Sequence, residues 1–510
     1  MYQYIHQNII DTIATIEKNF PVDKLVHKGI KVWPVIKANF NFQMILNNSD
    51  EIAKLKSQNK NWKQKIGDIF AAYKIYKKCK KIYREELKKD NSLNQLPSKA
   101  KYLFITFSTF RTKTINDIRF DSQYDSFLST VSDTTKFCAL EFHFGEDTNT
   151  PSLSASHKIS ILKTKAELHI KKSKIGKYTL DFLGIKHHSQ NKKTQDEFIA
   201  FLKKENIQCV FNPSYFEEQI DWILFLKDEL KKIYKKIQPE YVLCPSYFNF
   251  ESFASTLACH ELGIKTIEIQ HGVYGQPVYC YYGNIPKEGY ELLPDYFFSW
   301  DALQANLIND WAKETSKHKA LVYGLNGLTF WKKNKESFIN KNLINLQPLL
   351  AQMGKSKVLF TISDSIDKKL PQLIKNTEQS CFWFIRNHPR ATNAPFILDF
   401  AKTMQQLNCN NYEIENSTHA PLYPLLWEMD YHVTMISSVV CEAFQIGLPS
   451  IVINDSGKQL FYDFYQNSPL VLFSTDTDEI HKAVTQKRDR KKELKIEEDQ
   501  NFENFIASLS

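Results

Sequence analysis

Three short polar stretches follow apolar runs of the chain and carry side chains suited to acid–base or anion chemistry. The first is Gln270-His271-Gly272, which comes directly after the run IKTIEI (264–269). A histidine at the end of a strand can accept a proton near neutral pH, because its unperturbed pKa is about 6.5. The same residues also suit a plain turn in which Gly272 takes a positive φ and His271 faces solvent. Both interpretations stay open on the sequence.

The second stretch is FIRNHPR (384–390), in which Arg386, His388 and Arg390 stand at alternate positions after an apolar run. Pro389 favours extended backbone at this point. Three side chains that can carry positive charge at a strand end favour an anion, since arginine binds phosphate oxygens in a bidentate manner. We therefore predict a phosphate site here, in preference to a basic surface loop.

The third stretch is MISSVVCEA (435–443), where Ser437 and Ser438 lie between an apolar run and a predicted helix. Serine caps helices, and a helix N-terminus attracts phosphate through its free N–H groups and its dipole. Glu442 lies one turn further along and can accept hydrogen bonds from ribose hydroxyls. A serine cap that binds no ligand is the alternative.

The elements around these stretches repeat one pattern in two parts of the chain. In the first part an apolar run at 239–246 precedes a helical pattern, Gly263 and the run 264–269. In the second part the runs 356–363, 381–387, 431–436 and 449–455 are predicted strands, with a helix from Ser438 to Gly447. Alternating strands and helices predict two doubly wound α/β domains, which bind ligands at the carboxyl ends of their strands. Neither part contains G-x-G-x-x-G or a P-loop, which argues against NAD-type and ATP-type phosphate cradles.

A chain of 510 residues is too long for one hydrophobic core. We predict a helical, basic N-terminal region over 1–98 and two Rossmann-like domains over 99–325 and 326–510. The segment 51–100 holds 14 Lys or Arg and five Asp or Glu, a surplus equal to the +9 of the whole chain. Its part 54–89 has apolar residues at helical spacing among lysines. This favours either a solvated basic helix or a helix that docks on an anionic membrane.

Other features of the composition limit the function classes. The nine cysteines are scattered without a C-x-x-C pair, so a disulfide framework and a Cys-rich zinc site are not predicted. The stretch DTD (476–478) suits a helix cap better than a metal site. Neither a metal nor a cofactor is expected. A nucleic-acid partner is not expected either, since recognition-helix, zinc-finger and RNP-type motifs are missing. The start of the chain lacks a secretory pattern and no apolar run reaches about 18 residues, so we expect a cytoplasmic protein, at most held at the inner face of the membrane.

The motifs QHG, RNHPR and SSVVCEAFQIGLPSIVI, in this order, resemble the GT-B glycosyltransferases of bacterial capsule and lipopolysaccharide synthesis. The His-Pro and Ser-Ser pairs are similar to those of Kdo transferases and polysialyltransferases. The His-Gly pair is also similar to that of the glycerophosphotransferases that polymerise teichoic acids. The resemblance covers 240–460 well, 100–240 by strand pattern only, and does not extend to 1–98.

This resemblance implies a GT-B-like α/β fold, with two Rossmann-like domains facing across a cleft and a helical N-terminal extension. The first domain would hold a polysaccharide or glycolipid acceptor, and the second a nucleotide-sugar donor, with a CMP-linked donor favoured. His388-Pro389 and Ser437-Ser438 would contact the nucleotide and its phosphate, and His271 would match the His-Gly histidine. Gln270 and Gly272 on either side of it are predicted to contact substrate, and Gly272 would let the substrate come close.

The acidic D/E-D/E-G motif of bacterial sialyltransferases is missing, which counts against sialic acid as the sugar. Asp121 and Asp125 are the candidate substitutes. The expected activity is metal-independent, inverting glycosyl transfer, with His271, Asp121 or Asp125 as the base. A polyol-phosphate transferase with a CDP-linked donor and a non-catalytic adaptor in polysaccharide assembly are the alternatives.

Overall fold

The computed structural model describes residues 2–46, 62–89, 95–111, 113–115, 118–142, 151–182, 191–274, 283–334, 341–351, 354–362, 366–388, 395–486 and 502–507. The strands are β1 Val26–His27, β2 Ile30–Lys31, β3 Tyr102–Phe107, β4 Lys113–Ile115, β5 Ile118–Phe120, β6 Phe137–Phe142, β7 His157–Lys158, β8 Tyr241–Cys244, β9 Lys265–Ile269, β10 Tyr296–Ser299, β11 Lys319–Val322, β12 Ser356–Thr361, β13 Cys381–Arg386, β14 Tyr412–Glu413, β15 Tyr431–Thr434, β16 Ser450–Val452 and β17 Val471–Phe473. The α-helices are α1 Tyr2–Asn19, α2 Trp33–Leu46, α3 Trp62–Lys89, α4 Tyr124–Leu128, α5 Ile161–Phe182, α6 Lys192–Lys204, α7 Pro213–Ile237, α8 Phe250–Leu262, α9 Ala302–Ala312, α10 Asn326–Asn334, α11 Lys341–Leu350, α12 Leu370–Asn376, α13 Pro395–Gln406, α14 Glu415–His419, α15 Leu422–Trp427, α16 Val439–Gln445, α17 Asp455–Tyr465, α18 Thr477–Thr485 and α19 Phe502–Ala507.

Two sheets, each parallel throughout, organise the described residues. The first has the order β11-β10-β9-β8-β3-β6-β7, and the second has the order β14-β13-β12-β15-β16-β17. Counted along the chain, the second order is 3-2-1-4-5-6, and the first extends the same order by one strand. This is the doubly wound Rossmann arrangement, so the predicted fold class is confirmed.

The order of strands reverses between β3 and β8 in the first sheet and between β12 and β15 in the second. Crevices at such reversals, outside the carboxyl ends of the strands, are where open α/β sheets bind ligands. The strands that flank them are almost entirely buried, because helices cover both faces of each sheet.

The helix between β8 and β9 shows why the local sequence folds as predicted. The side chain of Asn249 accepts a hydrogen bond from the backbone N–H of Ser252 and so begins α8. Gly263, with φ +70°, ends the same helix in the left-handed conformation that glycine adopts without strain. A short, well-defined helix therefore delivers the chain to β9 and to the residues that follow it.

Both ends of the chain contribute to the core around the first sheet. Ile13 of α1 and Trp33 of α2 are buried in the same cluster as Leu103 of β3. Phe502 of α19 is packed on the other face, in the cluster that contains Phe104. The chain thus returns from the second sheet to the first before it ends, and the bounds 1–98, 99–325 and 326–510 stay a prediction.

Helix α3 packs against α5.

Within the ranges given above, no helix combines the length and apolar character that a membrane span requires.

Candidate functional site

A cavity of about 210 Å³ lies between the two sheets, next to the carboxyl ends of their strands. We call it the interdomain cavity. Its lining comes from the end of β5, from the loops after β5, β9, β10 and β11, and from α4, α10, α14, α15 and α16. The lining residues are Phe120, Ser122, Gln123, Ser126, Gln270, His271, Trp300, Leu325, Asn326, Gly327, Trp331, His419, Pro421, Leu422, Tyr423 and Glu442.

Gln270 organises the turn that carries His271. Its Nε2 donates hydrogen bonds to the carbonyl oxygen of Gly272 at 2.8 Å and to Oε1 of Gln304 at 3.2 Å. Its Oε1 accepts from the backbone N–H of Trp300 at 2.7 Å, and its carbonyl oxygen accepts from Trp300 Nε1 at 3.0 Å. The Gln270 side chain lines the cavity, but its polar atoms are committed to holding this turn.

His271 is partly buried, with ring centroids 6.1 Å from those of both Phe110 and Phe248. Gly272 is buried and is not among the glycines with positive φ. The interpretation of the pair as a solvent-facing turn with a left-handed glycine is therefore wrong. The turn continues into Val273, which is fully buried in one cluster with Val440 and Cys441 of α16. This packing brings His271 up to the second sheet.

Asp121 holds together the segment beside the cavity and does not line it. Its carboxylate accepts from Thr106 Oγ1 at 2.6 Å and from the backbone N–H groups of Gln123 and Tyr124, both at 2.9 Å. The Nε atom of buried Arg111 lies 3.6 Å from Asp121 Oδ2. Burial raises the pKa of Asp121, and the charge of Arg111 acts in the opposite direction.

Asp125 lies one turn later, also buried and also outside the cavity lining. Its Oδ2 accepts a hydrogen bond from the backbone N–H of Asp121 at 2.6 Å. Burial, and secondly the neighbouring charge of Asp121, raises the pKa of Asp125 to about 6. Such a pKa suits a base at neutral pH, but Ser122, Gln123 and Ser126 of this segment line the cavity and the two carboxyls do not.

Arg386 has a buried guanidinium group that holds another part of the lining. Its Nη1 donates to the carbonyl oxygens of Ser417 and Ala420, both at 2.7 Å. Burial lowers the pKa of Arg386 to about 10, and the charge of Glu442 offsets part of this shift. Arg386 thereby positions the segment that brings His419 to the cavity, and is not itself part of the lining.

The other residues predicted to contact an anion follow β13 or precede α16 along the chain. His388 is exposed and outside the cavity lining, whereas Pro389 and Arg390 lie outside the described residues. Ser437 Oγ accepts from the backbone N–H of Val439, the first residue of α16, at 3.3 Å. Ser438 is the N-cap residue by position, but its side chain makes no capping hydrogen bond.

Glu442, in α16, is the predicted second-domain residue that lines the cavity. The sequence did not point to His419, which lies in a polar stretch without a strand pattern, or to the aromatic wall. That wall comes from one buried cluster in which Phe120, Trp331 and Tyr423 meet. These residues are far apart in sequence, so no local sequence pattern predicts their contact.

Metal ligands are not clustered in the residues that the structure describes: no group of three or more His, Cys, Asp or Glu is placed to hold an ion. Asp476 of the DTD stretch accepts hydrogen bonds from the backbone N–H groups of Asp478 and Glu479. The prediction that this stretch caps a helix is confirmed.

The chain matches no family model and no curated protein. Among solved structures it is similar to the UDP-GlcNAc 2-epimerase of Neisseria meningitidis bound to UDP-GlcNAc, at 14% identity and TM-score 0.45 over 76% of this chain and 90% of that one. It is also similar to the UDP-GlcNAc 2-epimerase of Methanocaldococcus jannaschii, at 12% identity and TM-score 0.45 over 80% of this chain and 99% of that one. A third similar structure is the wall teichoic acid polymerase TagF, at 10% identity and TM-score 0.42 over 89% of this chain and 93% of that one. Values this low carry no argument about activity, substrate or site residues.

Proposed function

We propose that the protein is a metal-independent, inverting glycosyltransferase. It moves a sugar from a nucleotide-sugar donor, with a CMP-linked donor favoured, to a surface polysaccharide or glycolipid acceptor. The observation that carries the proposal is the interdomain cavity, where His271 from the first sheet shares a wall with His419 and Glu442 from the second. Titratable groups from two sheets converge there at the carboxyl ends of parallel strands.

In the proposed reaction, His271 removes the proton of the acceptor hydroxyl while its oxygen attacks the anomeric carbon. The bond from that carbon to the nucleotide phosphate breaks, and the phosphate oxygen takes the electron pair. His388, Arg390 and the hydroxyl groups of Ser437 and Ser438 are the proposed partners of the leaving phosphate. Arg386 acts through the segment that it holds, and Glu442 accepts from donor hydroxyls.

The size of the interdomain cavity limits what it can enclose. About 210 Å³ is smaller than the roughly 300–1,000 Å³ of pockets that enclose drug-sized ligands. The cavity therefore suits a single sugar ring between aromatic walls. The nucleotide of the donor would then extend outside it, towards His388 and Ser437.

Incubation with labelled CMP-sugars, UDP-sugars and CDP-glycerol tests the donor class. We expect a CMP-sugar to be consumed with release of CMP and to raise the Tm, because a ligand at about 100 times its Kd stabilises the folded state by about 2.7 kcal/mol. Consumption of CDP-glycerol alone would favour the polyol-phosphate transferase. If no donor is consumed and none changes the Tm, the protein is not this enzyme and the adaptor alternative gains support.

We also propose that α3 docks on an anionic membrane surface, where a glycolipid acceptor would be found. Phe70, Ile75 and Leu87 of α3 are exposed by 70%, 46% and 49%. Lys77 Nζ lies 4.7 Å from the centre of the Tyr73 ring. Exposed apolar and aromatic side chains among lysines suit the boundary between headgroups and acyl chains.

Vesicle co-sedimentation of the full chain tests the docking of α3. We expect binding to vesicles that contain phosphatidylglycerol, and loss of binding at high salt, because salt screens the attraction. Lys77→Glu with Lys81→Glu should weaken binding by at least about 2 kcal/mol, since each basic residue near such a surface contributes about 1 kcal/mol. The matched control is Lys203→Glu with Lys204→Glu, an exposed pair in α6. Binding that salt does not change, or that both double variants lose equally, would contradict the proposal.

A further inference from the structure

A second concave surface lies on the first domain, away from the interdomain cavity lining. This groove of about 480 Å³ is formed by α2, the first turn of α5, α7 and the segment from β8 into α8. We call it the α2–α7 groove. Its walls include the rings of Tyr215, Trp222, Phe248 and Phe250. A mostly apolar, aromatic lining with a few polar groups is the usual character of a ligand site.

Two buried polar atoms of α7 belong to residues that line this groove. Gln219 is 8% exposed, and its Oε1 has no hydrogen-bond partner in the described part of the chain. The Nε1 of Trp222, one turn along the same face, likewise has no partner there. An unmet buried polar atom costs about 1–3 kcal/mol, so two on one wall require a partner.

The two atoms have opposite hydrogen-bonding character. The carbonyl oxygen of Gln219 only accepts, and the indole N–H of Trp222 only donates. A hydroxyl group satisfies both, because it donates one hydrogen bond and accepts another. A carboxylate or phosphate group would satisfy the tryptophan but not the glutamine.

The charges in the lining of the groove also favour a neutral ligand. Lys163 and Glu251 are the two ionisable side chains of opposite sign in the lining; burial raises the pKa of the Glu251 carboxyl, and the charge of Lys163 acts in the opposite direction. One group of each sign gives the lining no surplus of positive charge for an anion. Aromatic rings and hydroxyl partners together suit a sugar ring, whose C–H faces lie on the rings while its hydroxyls reach the polar atoms.

Phe248 connects this groove to the candidate site. It lines the groove, and its ring centroid lies 6.1 Å from that of His271. A saccharide chain that occupied the groove would therefore end close to the candidate base.

We propose that the α2–α7 groove binds neutral sugar units of the acceptor, with a hydroxyl held between Gln219 and Trp222. The identification of the bound saccharide as the acceptor rests on the proposed function. Saccharide binding itself can be measured without donor or turnover. The two ideas therefore fail separately.

The test titrates the full chain with neutral mono- to tetrasaccharides of glucose, galactose and N-acetylhexosamines, followed by ligand-observed NMR. We expect at least one tetrasaccharide to bind, and Trp222→Phe to weaken it about tenfold, because the ring remains while the donor is lost. Trp311→Phe is the matched control, since Trp311 lies in α9 outside the groove. Gln219→Leu should weaken binding similarly without lowering the Tm, because it removes an unmet polar atom.

No binding of any saccharide in the series would overturn the proposal, as would equal affinities of Trp222→Phe and Trp311→Phe. A Gln219→Leu variant that is less stable and binds normally would show that Gln219 has a structural role, and would also overturn it. Saccharide binding that depends on Trp222, found together with the absence of any transfer, would refute the proposed function and leave the groove assignment standing.

Discussion

Replacement of His271 by alanine is expected to lower kcat by about 10²–10⁴ while donor affinity stays close to that of the wild type. The reason is that a positioned base acts in the transition state, where it takes the acceptor proton, and the alanine leaves water to do so. Gln270 and the buried Val273 fix the backbone on both sides of His271, so the substitution removes the imidazole without releasing the turn. Steady-state rates, with donor affinity from calorimetry, separate the two effects.

The control for this prediction is Asp125→Asn, which changes the buried carboxyl whose pKa is raised to about 6, mainly by burial. Asp125 is buried beside Asp121 and does not line the interdomain cavity, so the variant should keep near-normal turnover. The opposite pattern, with His271→Ala active and Asp125→Asn inactive, would transfer the role of base to the carboxyl. It would also mean that the segment around α4 moves when substrate binds.

Acidification from pH 7 to pH 5 is expected to lower the free energy of unfolding by about 4 kcal/mol through two buried histidines alone. Burial lowers the pKa of His432 in the second sheet to about 3 and that of His318 in the first domain to about 4. Both folded-state pKa values lie below the value of about 6.5 for an unperturbed histidine. Below pH 6.5 the unfolded chain therefore binds two protons that the folded protein does not bind. Stability is therefore full above pH 6.5 and is lost as the pH falls towards the folded-state values. Denaturant unfolding at a series of pH values measures this loss.

His432→Gln should flatten the same profile by about 2 kcal/mol between pH 7 and 5, because one of the two protons is removed from the balance. In the wild type, the ring nitrogens of His432 contact Thr361 Oγ1 and Ser450 Oγ, and the glutamine amide can replace part of these contacts. His419→Gln, at an exposed histidine, is the matched control and should leave the slope unchanged. The raised pKa of Asp125 offsets part of the acid loss in all three proteins, so only the differences between them carry the argument. Equal slopes in all three would refute the assignment to His432.

Much of the fold followed from local patterns. The apolar runs at 356–363, 381–387 and 431–436 contain β12, β13 and β15, and Gly263 ends α8 where a left-handed cap was predicted. Strand and helix periods are properties of neighbouring residues, so a sequence displays them directly. Helix starts were less sharply marked. Helix α16 begins at Val439, and the N-cap residue Ser438 makes no side-chain capping bond, whereas Ser437 Oγ accepts from the backbone N–H of Val439.

The candidate site was predictable in part from local sequence and depended in part on tertiary packing. The position of His271 after β9 was readable, because a strand end is a local feature. The predicted contacts of Gln270 and Arg386 with substrate were not readable in the same way. Their polar atoms meet Gln304 and the carbonyl oxygens of Ser417 and Ala420, more than 30 residues away. Such partners are chosen by packing, which no window of the sequence contains.

By itself, the sequence determined that the chain forms two sets of alternating strands and helices, and that His271, Arg386 and Ser437 lie near strand ends. Only the tertiary structure decided which of these strand ends share a cavity. It turned Arg386 inward, left Asp121 and Asp125 outside the cavity lining, and brought His419 and Trp331 into the lining. The physical reason is burial: a polar side chain that leaves water must satisfy its hydrogen bonds with whatever groups the packed elements place beside it.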